Sequence, residues 1–282
     1  MANESNIAII IVLFNPSSVE LENVRHISSV YKGVIVDNSS VSHFSDRVNK
    51  MRYIGLGENT GIAEAQNLGL GNVLEDSEIE YVFYFDQDSI FADDYPLKMV
   101  EEYEHIIGQD IKIAALGPTV IQKKTEKEYK SVIHKDKIVN SHFILRREII
   151  ASGCCISRSV IESVGRNDSS LFIDFVDFEW CWRARYKGFV CGITPNVKIW
   201  HEVGMSHLSV WKYEVILSAP MRYYYQYRNY LWLCRRKYVP FQWKFAMGVK
   251  LFMRLLYLPM VMPEGRNSRG YMLKGIKAGL KN

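Results

Sequence analysis

Two carboxylates, one residue apart, end the aromatic segment "YVFYFDQDS" and are the strongest candidates for chemistry in this sequence. In an extended strand, residues i and i+2 point to the same side, so Asp86 and Asp88 can converge on one hard cation. Mg²⁺ and Mn²⁺ favour carboxylate ligands and commonly bridge to substrate phosphates. The alternative is a solvated β-turn, in which Asp and Ser are common.

A third carboxylate, Asp177, lies in the segment "DFVDFEWCWRARYKG", whose pattern predicts a helix. On that helix Asp177 shares an otherwise apolar face with Trp180, Cys181 and Ala184, so the carboxylate is expected to point inward. A partly buried carboxylate with a raised pKa is what a general base needs. Alternatively, Asp174 caps the helix and Asp177 is an ordinary acidic residue of the first turn.

The remaining charged candidates are an ion pair on this helix and a histidine after a later strand. Glu179 and Arg183 stand at i,i+4 spacing, which predicts an exposed surface pair. His201 follows a predicted strand in "VKIWHEVG". A lone histidine there is more often structural, and it becomes a third cation ligand only if the fold brings it to Asp88.

Two other segments have the residue types of a nucleotide site. Asp37 ends the apolar segment "GVIVD" and can accept a hydrogen bond from an imide N–H or a ribose hydroxyl, or else form a simple turn. The segment "GENTGIAEAQNLGL" places glycines and amides at a predicted helix start, where free N–H groups favour anions. It matches neither a P-loop nor GxGxxG, and ordinary capping by Asn59 or Thr60 is the alternative.

The first third of the chain alternates strands with helices, which predicts βαβ units and a parallel sheet. A weak helix is predicted directly after Ser40. In open α/β sheets ligands bind at the carboxyl ends of the strands, and "DNSS" and "DQDS" both lie there. The predicted strands are 7–15, 33–40, 51–57, 80–88 and 111–118.

The later chain predicts an α/β half followed by a helical extension. The pattern weakens over 119–152, then predicts two helices and a strand that turns at Pro195 and resumes. After Pro220 it predicts two helices and a short basic end. We predict a nucleotide-binding half (1–118), an acceptor-binding and catalytic half of the same domain (119–218), and a helical basic extension (219–282).

Charge is distributed unevenly along the 282 residues. From Arg222 to the end there are thirteen Lys or Arg and one acid, within a net charge of +4 for the whole chain. Apolar and aromatic residues at helical spacing beside these cations favour an anionic membrane surface over nucleic acid as partner. A terminal helical hairpin packed on the body is the alternative. The apolar start lacks a basic n-region, and five unpaired-looking cysteines indicate a reducing compartment, so a cytoplasmic protein is predicted.

Together these segments resemble the inverting family 2 glycosyltransferases of GT-A fold, and most closely the rhamnosyltransferase branch that builds bacterial surface polysaccharides. The resemblance covers roughly residues 7–207. It is carried by "VLFNP", "VDNSS", "NTGIAEAQNLGL", "FDQDS", "SGCCISR", "FIDFVDFEWCWRARYKGF" and "WHEVG".

The resemblance implies a role for each candidate residue. It assigns donor and nucleotide contacts to Asn15, Asp37, Asn59, Gly61, Gln66, Asp86 and Gln87. It assigns a Mn²⁺ or Mg²⁺ ion to Asp86, Asp88 and His201, and the catalytic base to Asp177. It places Ser152, Gly153, Asp174 and Trp180 at the acceptor.

The resemblance also implies the partners: a nucleotide-diphosphate sugar, dTDP-rhamnose in this branch, and a lipid-linked oligosaccharide acceptor at the cytoplasmic leaflet. Gln66 stands where many members have Arg, and Val176 occupies the first position of an "ED" motif, so a UDP-hexose donor stays open. A nucleotidyltransferase would need a Gly-rich basic loop after the first strand, which "LFNPSSVE" lacks. A non-catalytic glycan-binding module and a homo-oligomer are further alternatives.

Overall fold

A ten-stranded mixed sheet with helices on both faces forms the centre of the molecule. The computed structural model describes residues 4–122, 137–201, 207–210, 213–216, 219–261 and 265–281. The sheet strands are β1 (Ile7–Leu13), β2 (Gly33–Asp37), β3 (Arg47–Val48), β4 (Met51–Gly55), β5 (Tyr81–Asp86), β6 (Ile113–Gln122), β7 (Lys137–Ile138), β8 (Ile144–Arg146), β9 (Cys155–Ser157) and β10 (Val190–His201). Their spatial order is β3-β4-β2-β1-β5-β9-β6-β10-β8-β7, and a separate hairpin pairs β11 (His207–Val210) with β12 (Tyr213–Ile216).

The helices of the described chain divide into five that flank the sheet and three that follow it. They are α1 (Ser18–Val30), α2 (Ile62–Val73), α3 (Tyr95–Ile107), α4 (Arg158–Val164), α5 (Val176–Tyr186), α6 (Pro220–Cys234), α7 (Phe241–Val261) and α8 (Gly265–Leu280). This is the mixed α/β architecture that the alternation predicted.

Strand β1 shows why its sequence is a continuous apolar run. Its alternate residues Ile7, Ile9, Ile11 and Leu13 pack with α1 and α3 on one face of the sheet. The intervening residues pack with α2, α4 and α5 on the other face. A strand covered on both faces needs no polar alternation.

The carboxyl ends of three neighbouring strands meet at one edge of the sheet. Strand β1 lies between β2 and β5, parallel to both, with Leu13 opposite Asp37 and Val12 opposite Asp86. The prediction that "DNSS" and "DQDS" share an edge is therefore confirmed. The ends of β1, β2 and β5 form the floor on which a site can be built.

Two predicted elements differ in the structure. No helix follows Ser40, because the chain turns there and enters the short antiparallel pair β3–β4. Strand β10 continues through Pro195, since the register shift between Ile193 and Lys198 accommodates a residue that cannot donate a ladder hydrogen bond.

The C-terminal helices pack on the body and on one another. Leu233, Val239 and Trp243 form one buried cluster with Leu171 and Trp182 of the preceding α/β half. Helix α8 lies close against α6 at two glycines, and a Cβ on either would meet an α6 atom within 3 Å. The predicted short basic end is thus a full helix. Among the described helices, none is long and apolar enough to cross a membrane.

Candidate active site

The end of β5 carries Asp86 and Asp88 on a turn that Ser152 supports. Asp86 is exposed and Asp88 half-buried. The Ser152 hydroxyl accepts a hydrogen bond from the Asp86 N–H at 3.2 Å and lies 3.0 Å from the Ser89 hydroxyl. Within the described residues the Asp88 carboxylate makes no hydrogen bond or ion pair, so it is available to a ligand.

Gly153 fixes the segment next to these carboxylates. Its N–H donates to the Tyr84 carbonyl at 2.8 Å, and its carbonyl accepts from the Tyr95 hydroxyl at 2.7 Å. Its φ is +78°, and a Cβ there would lie 2.7 Å from the Tyr95 hydroxyl. Ser152 and Gly153 were predicted at the acceptor, and the structure places them directly beside the β5 turn.

The backbone of β10 reaches the same turn. Trp200 forms a β-bridge with Ile90, two residues beyond Asp88. His201, the predicted third ligand, follows Trp200 in the chain, but its side chain lies outside the described part of the structure. The fold therefore brings the backbone of Trp200, the residue before His201, close to the turn that carries Asp86 and Asp88.

Asp177 lies at the start of α5, at the second helical position and not the third, because Phe175 and not Asp174 is the N-cap. The Phe178 N–H donates to its Oδ1 at 3.0 Å. Burial raises the pKa of Asp177 to about 7, and the charges of Asp86 and Asp174 add to the effect. The effect of the Asp86 charge indicates that the β5 turn and the start of α5 lie on the same side of the sheet, within electrostatic range of each other.

The loop before α5 is conformationally strained. Phe172, Asp174 and Phe175 all have φ between 65° and 67°, in the left-handed region that costs a non-glycine residue of order 1–3 kcal/mol. Such a conformation persists only where surrounding contacts determine it. The contacts come from α6.

Helix α6 holds this loop through a buried amide. The Asn229 side chain is fully buried, and its Nδ2 donates to the carbonyls of Leu171 and Ile173 at 2.8 Å and of Asp174 at 3.2 Å. Arg222 adds two hydrogen bonds to the Asp174 carboxylate, at 2.6 and 3.2 Å. Asp174, predicted at the acceptor, is therefore paired with an α6 guanidinium.

Nothing in the residue pattern assigned a role to Arg222 or Asn229. The only available signal was an asparagine, a poor helix former, in the aromatic segment "QYRNYLW". Its three acceptors come from residues more than fifty positions away, and no local pattern records that distance.

Removing the Asn229 amide is expected to damage both stability and catalysis. Asn229→Ala leaves buried carbonyls without donors, which should lower the free energy of unfolding by about 2–4 kcal/mol. Without these hydrogen bonds the loop before α5 would become mobile and admit water to Asp177. The pKa of that carboxyl should then fall toward its ordinary value.

Thermal unfolding and the pH profile of kcat check this prediction, with exposed Asn267→Ala on α8 as the control. Asn229→Asp should behave no better than the alanine variant, because a carboxylate cannot donate to the three carbonyls. An unchanged pH midpoint in a destabilised Asn229→Ala variant would show that the amide supports the fold without positioning the base.

Two residues of α5 lie deeper than predicted. Glu179 is buried, not on the surface, and accepts hydrogen bonds from Arg183 at 2.9 Å and from Tyr238 at 2.6 Å, with Arg236 at 3.2 Å. Trp180 is also buried, and its indole N–H donates to the Gly165 carbonyl at 2.9 Å. The predicted acceptor contact of Trp180 stays a prediction, and Trp180 lines the same cavity as Asp177.

Asp37, which was predicted to contact the nucleotide, is fully buried at the end of β2. Its oxygens accept from the Ser39 N–H at 3.0 Å and the Tyr53 hydroxyl at 2.7 Å, and lie 2.7 Å from His43 Nδ1. Burial alone would raise its pKa, but these hydrogen bonds outweigh burial and lower it. The predicted base contact stays a prediction, and His43 covers the approach to the carboxylate.

Amide side chains shape the start of α2. Gly61 is the N-cap, at φ +88°, and its N–H donates to Asn59 Oδ1 at 3.0 Å. The Asn59 and Thr60 side chains do not cap the helix; both hydrogen-bond to Asn38. Gln66 lies farther along, buried against Asn167 at 2.8 Å, so it faces the protein and not open solvent.

Gln87 links the β5 turn to the loop after β1. Its Oε1 accepts from the Phe14 N–H at 2.8 Å, and its Nε2 donates to Glu20 at 2.9 Å. Asn15, next in that loop, has φ 47° and donates its N–H to Ser39. Gln87 therefore ties the strand ends together, while Asn15 is exposed at the edge of the site.

The residues present fit a divalent cation. Asp86 and Asp88 are hard oxygen donors, and the negative charge of Asp86 already raises the pKa of Asp177. Among the described side chains no three His, Cys, Asp or Glu cluster as a preformed metal site. Two carboxylates that leave the remaining positions to other ligands suit a cation shared with a substrate diphosphate.

The arrangement of sheet and helices is the GT-A fold. Among solved structures, one of S. aureus TarS superposes with a TM-score of 0.56 at 10% identity, covering 96% of this chain and 54% of that one. One of GalNAc-T7 with UDP, GalNAc and Mn²⁺ gives a TM-score of 0.55 at 12% identity, covering 96% and 55%. This chain spans about half the length of each.

The chain belongs to glycosyl transferase family 2, whose family model matches residues 9–164. A dTDP-rhamnosyl transferase, RfbF of Shigella flexneri, is 30% identical over 98% of this chain and 95% of its own. A low-salt glycan biosynthesis hexosyltransferase, Agl10 of Haloferax volcanii, is 26% identical over 66% and 64%.

Proposed function

We propose that this glycosyltransferase transfers rhamnose from dTDP-rhamnose to a hydroxyl of a growing bacterial surface polysaccharide, with inversion at the anomeric carbon. The observation that carries the proposal is the buried carboxyl of Asp177, whose pKa is raised to about 7 by burial and further by the charges of Asp86 and Asp174. The donor follows from the near full-length similarity to a dTDP-rhamnosyl transferase.

Asp177 is the proton acceptor in this mechanism. A carboxylate with a pKa near 7 is ionised in a large share of molecules at neutral pH and is basic enough to take a proton from a bound hydroxyl. As the proton leaves, the acceptor oxygen attacks the anomeric carbon and the bond to the diphosphate breaks. One displacement from the opposite side inverts the configuration.

Asp86 and Asp88 hold the leaving-group side of the site. With the His201 segment they would bind Mn²⁺ or Mg²⁺, which supplies positive charge to the departing diphosphate. Ser152 and Gln87 keep this turn rigid, so little reorganisation is needed during reaction. A cation held there would stabilise the leaving group, so no acid would be needed on that side.

A donor screen tests the proposed function. Nucleotide release is measured from dTDP-, UDP- and GDP-sugars, with Mn²⁺, with Mg²⁺ and with EDTA, and the anomeric configuration of the product is determined by NMR. The expected result is cation-dependent release from dTDP-rhamnose with inversion. Activity insensitive to EDTA, or retention of configuration, would contradict the mechanism.

A UDP-hexose donor is the second candidate. It is supported by the similarity to a hexosyltransferase and by Gln66, a neutral residue buried against Asn167. The same screen separates the two candidates, because only one donor should give turnover well above the hydrolysis background.

We further propose that the acceptor is a lipid-linked saccharide, reached from the cytoplasmic leaflet of the cell membrane. The support is the thirteen cations and one acid that follow Pro220 in the chain. Each Lys or Arg near an anionic surface contributes about 1 kcal/mol to binding, so a few cations give reversible attachment.

A further inference from the structure

Helix α7 is apolar on two opposite faces, and only one of them is packed against protein. Trp243, Leu251 and Leu258 point into the body and are at most 5% exposed. On the other side, seven large apolar side chains are between 49% and 87% exposed. They are Phe241, Phe245, Val249, Phe252, Met253, Leu256 and Met260, defined here as the α7 outer face.

The α7 outer face is one continuous surface and not a scatter of single residues. Its members recur at intervals of four, four, three, one, three and four, which places them within about a third of the helix circumference. At about 1.5 Å per residue the face extends for about 28 Å. Contiguous exposed apolar surface on that scale indicates an interaction site.

The charges on α7 and on the neighbouring helix α8 are all positive within the described residues. On α7, Lys250 is exposed, whereas Lys244 donates to the Arg236 carbonyl and Arg254 donates to Gln226. Helix α8 packs beside α7, and five further cations are exposed, four on α8 and one directly after it, with no acid among these residues. Those cations are Arg266, Arg269, Lys274, Lys277 and Lys281.

We propose that the α7 outer face inserts into the interface of an anionic phospholipid bilayer, with the exposed cations, Lys250 of α7 and those of α8, at the head groups. This inference rests on the proposed lipid-linked acceptor. An apolar stripe beside acid-free basic residues is the pattern of a helix that lies in the membrane plane. The proposed function invoked only electrostatic attraction to the membrane. This inference adds the insertion of the seven apolar side chains of the α7 outer face.

A second copy of the chain suits this face less well. A symmetric dimer buries the same patch on both subunits, so the cations near one face would meet those of its partner. Nucleic acid would match the charge, and its bases can stack on the three phenylalanines, but it offers no apolar partner to Val249, Met253, Leu256 and Met260. Anionic lipid complements both the charge and the apolar surface.

Vesicle co-sedimentation of the full chain tests the proposal, using vesicles of phosphatidylglycerol with phosphatidylcholine and vesicles of phosphatidylcholine alone. Phe245→Ser with Phe252→Ser should bind the anionic vesicles at least about tenfold more weakly. Val19→Ser with Val41→Ser, exposed apolar residues elsewhere, should bind like wild type. Arg269→Glu with Lys277→Glu should lose the preference for anionic vesicles.

Circular-dichroism melting confirms folding of each variant, and light scattering measures its oligomeric state. Equal vesicle binding by the phenylalanine variant and wild type overturns the proposal. A wild-type dimer that ignores vesicles and dissociates in the phenylalanine variant assigns the face to a second copy instead. Nucleotide release from dTDP-rhamnose without vesicles is measured in parallel, so failure of the proposed function is scored separately from failure to bind lipid.

Discussion

Replacing Asp177 by asparagine is expected to lower kcat by about 10²–10⁴-fold, the usual contribution of general base catalysis. Asparagine keeps the size of the side chain and can still accept the Phe178 N–H hydrogen bond, but it cannot take a proton. Donor binding should be unchanged, because the cation site is formed by other residues. Single-turnover nucleotide release and donor titration separate the two effects.

The pH dependence follows from the same carboxyl. The base acts when ionised, so kcat/KM of the wild type should rise with pH through about 7. A cation at Asp86 offsets the negative charge that raises this pKa, so saturating Mn²⁺ should move the midpoint to lower pH. In the asparagine variant the residual rate should lose this step.

Stability should change in the opposite direction to activity. The pKa of Asp177 is raised by folding, so the folded state binds this proton more tightly than the unfolded chain does. The wild type therefore loses stability as pH rises from about 4 through about 7. Above that range Asp177→Asn should be more stable, by up to about 4 kcal/mol.

Asp110→Asn, in an exposed turn far along the chain, is the matched control and should change neither rate nor stability appreciably. Full turnover by a folded Asp177→Asn variant would remove the base assignment, whatever the family membership.

The second large effect is expected at the cation site. Asp88→Asn removes one charge from a half-buried carboxylate that makes no hydrogen bond or ion pair within the described residues, so the fold should be little affected. Loss of a preorganised electrostatic contact at a leaving group typically lowers kcat by about 10²–10³-fold. Steady-state rates over a Mn²⁺ titration check this, and the concentration for half-activation should increase.

Asp94→Asn provides the control, because Asp94 lies on the same loop but pairs with Lys98. Chelation should inactivate the wild type and the control equally. If Asp88→Asn and wild type needed the same Mn²⁺ concentration, the cation would have to be held elsewhere.

Much of the nucleotide-binding half was predictable because its signals are local. The residue pattern allows Ser17 or Ser18 to cap a helix that runs to about Val30; in the structure Ser17 caps α1, in a capping box with Glu20, and the helix ends at Val30. Apolar runs ending in "DNSS" and "DQDS" located two strand ends at one edge of the sheet. Where apolar residues repeat at strand or helix spacing, the spacing itself predicts the element and which of its residues are buried.

The remainder depended on contacts between distant segments. Glu179 and Arg183 have the spacing of a surface pair, but Tyr238 and Arg236 of the C-terminal region cover them. Asp174 is a residue type that commonly caps helices, but the N-cap of α5 is Phe175, which has a left-handed conformation. Neither the burial of the Glu179–Arg183 pair nor the identity of the α5 N-cap is determined by neighbouring residues. Both depend on where α6 and the loop after it pack.

The contact between Asn229 and the loop before α5 makes α6 an integral part of the enzyme rather than part of a detachable module. A chain shortened after Pro220 to improve solubility would lose both the amide and the Arg222 guanidinium that fix the segment leading to the base. Exchange of C-terminal regions between relatives should therefore yield working hybrids only when the junction keeps these two side chains with the catalytic segment they hold.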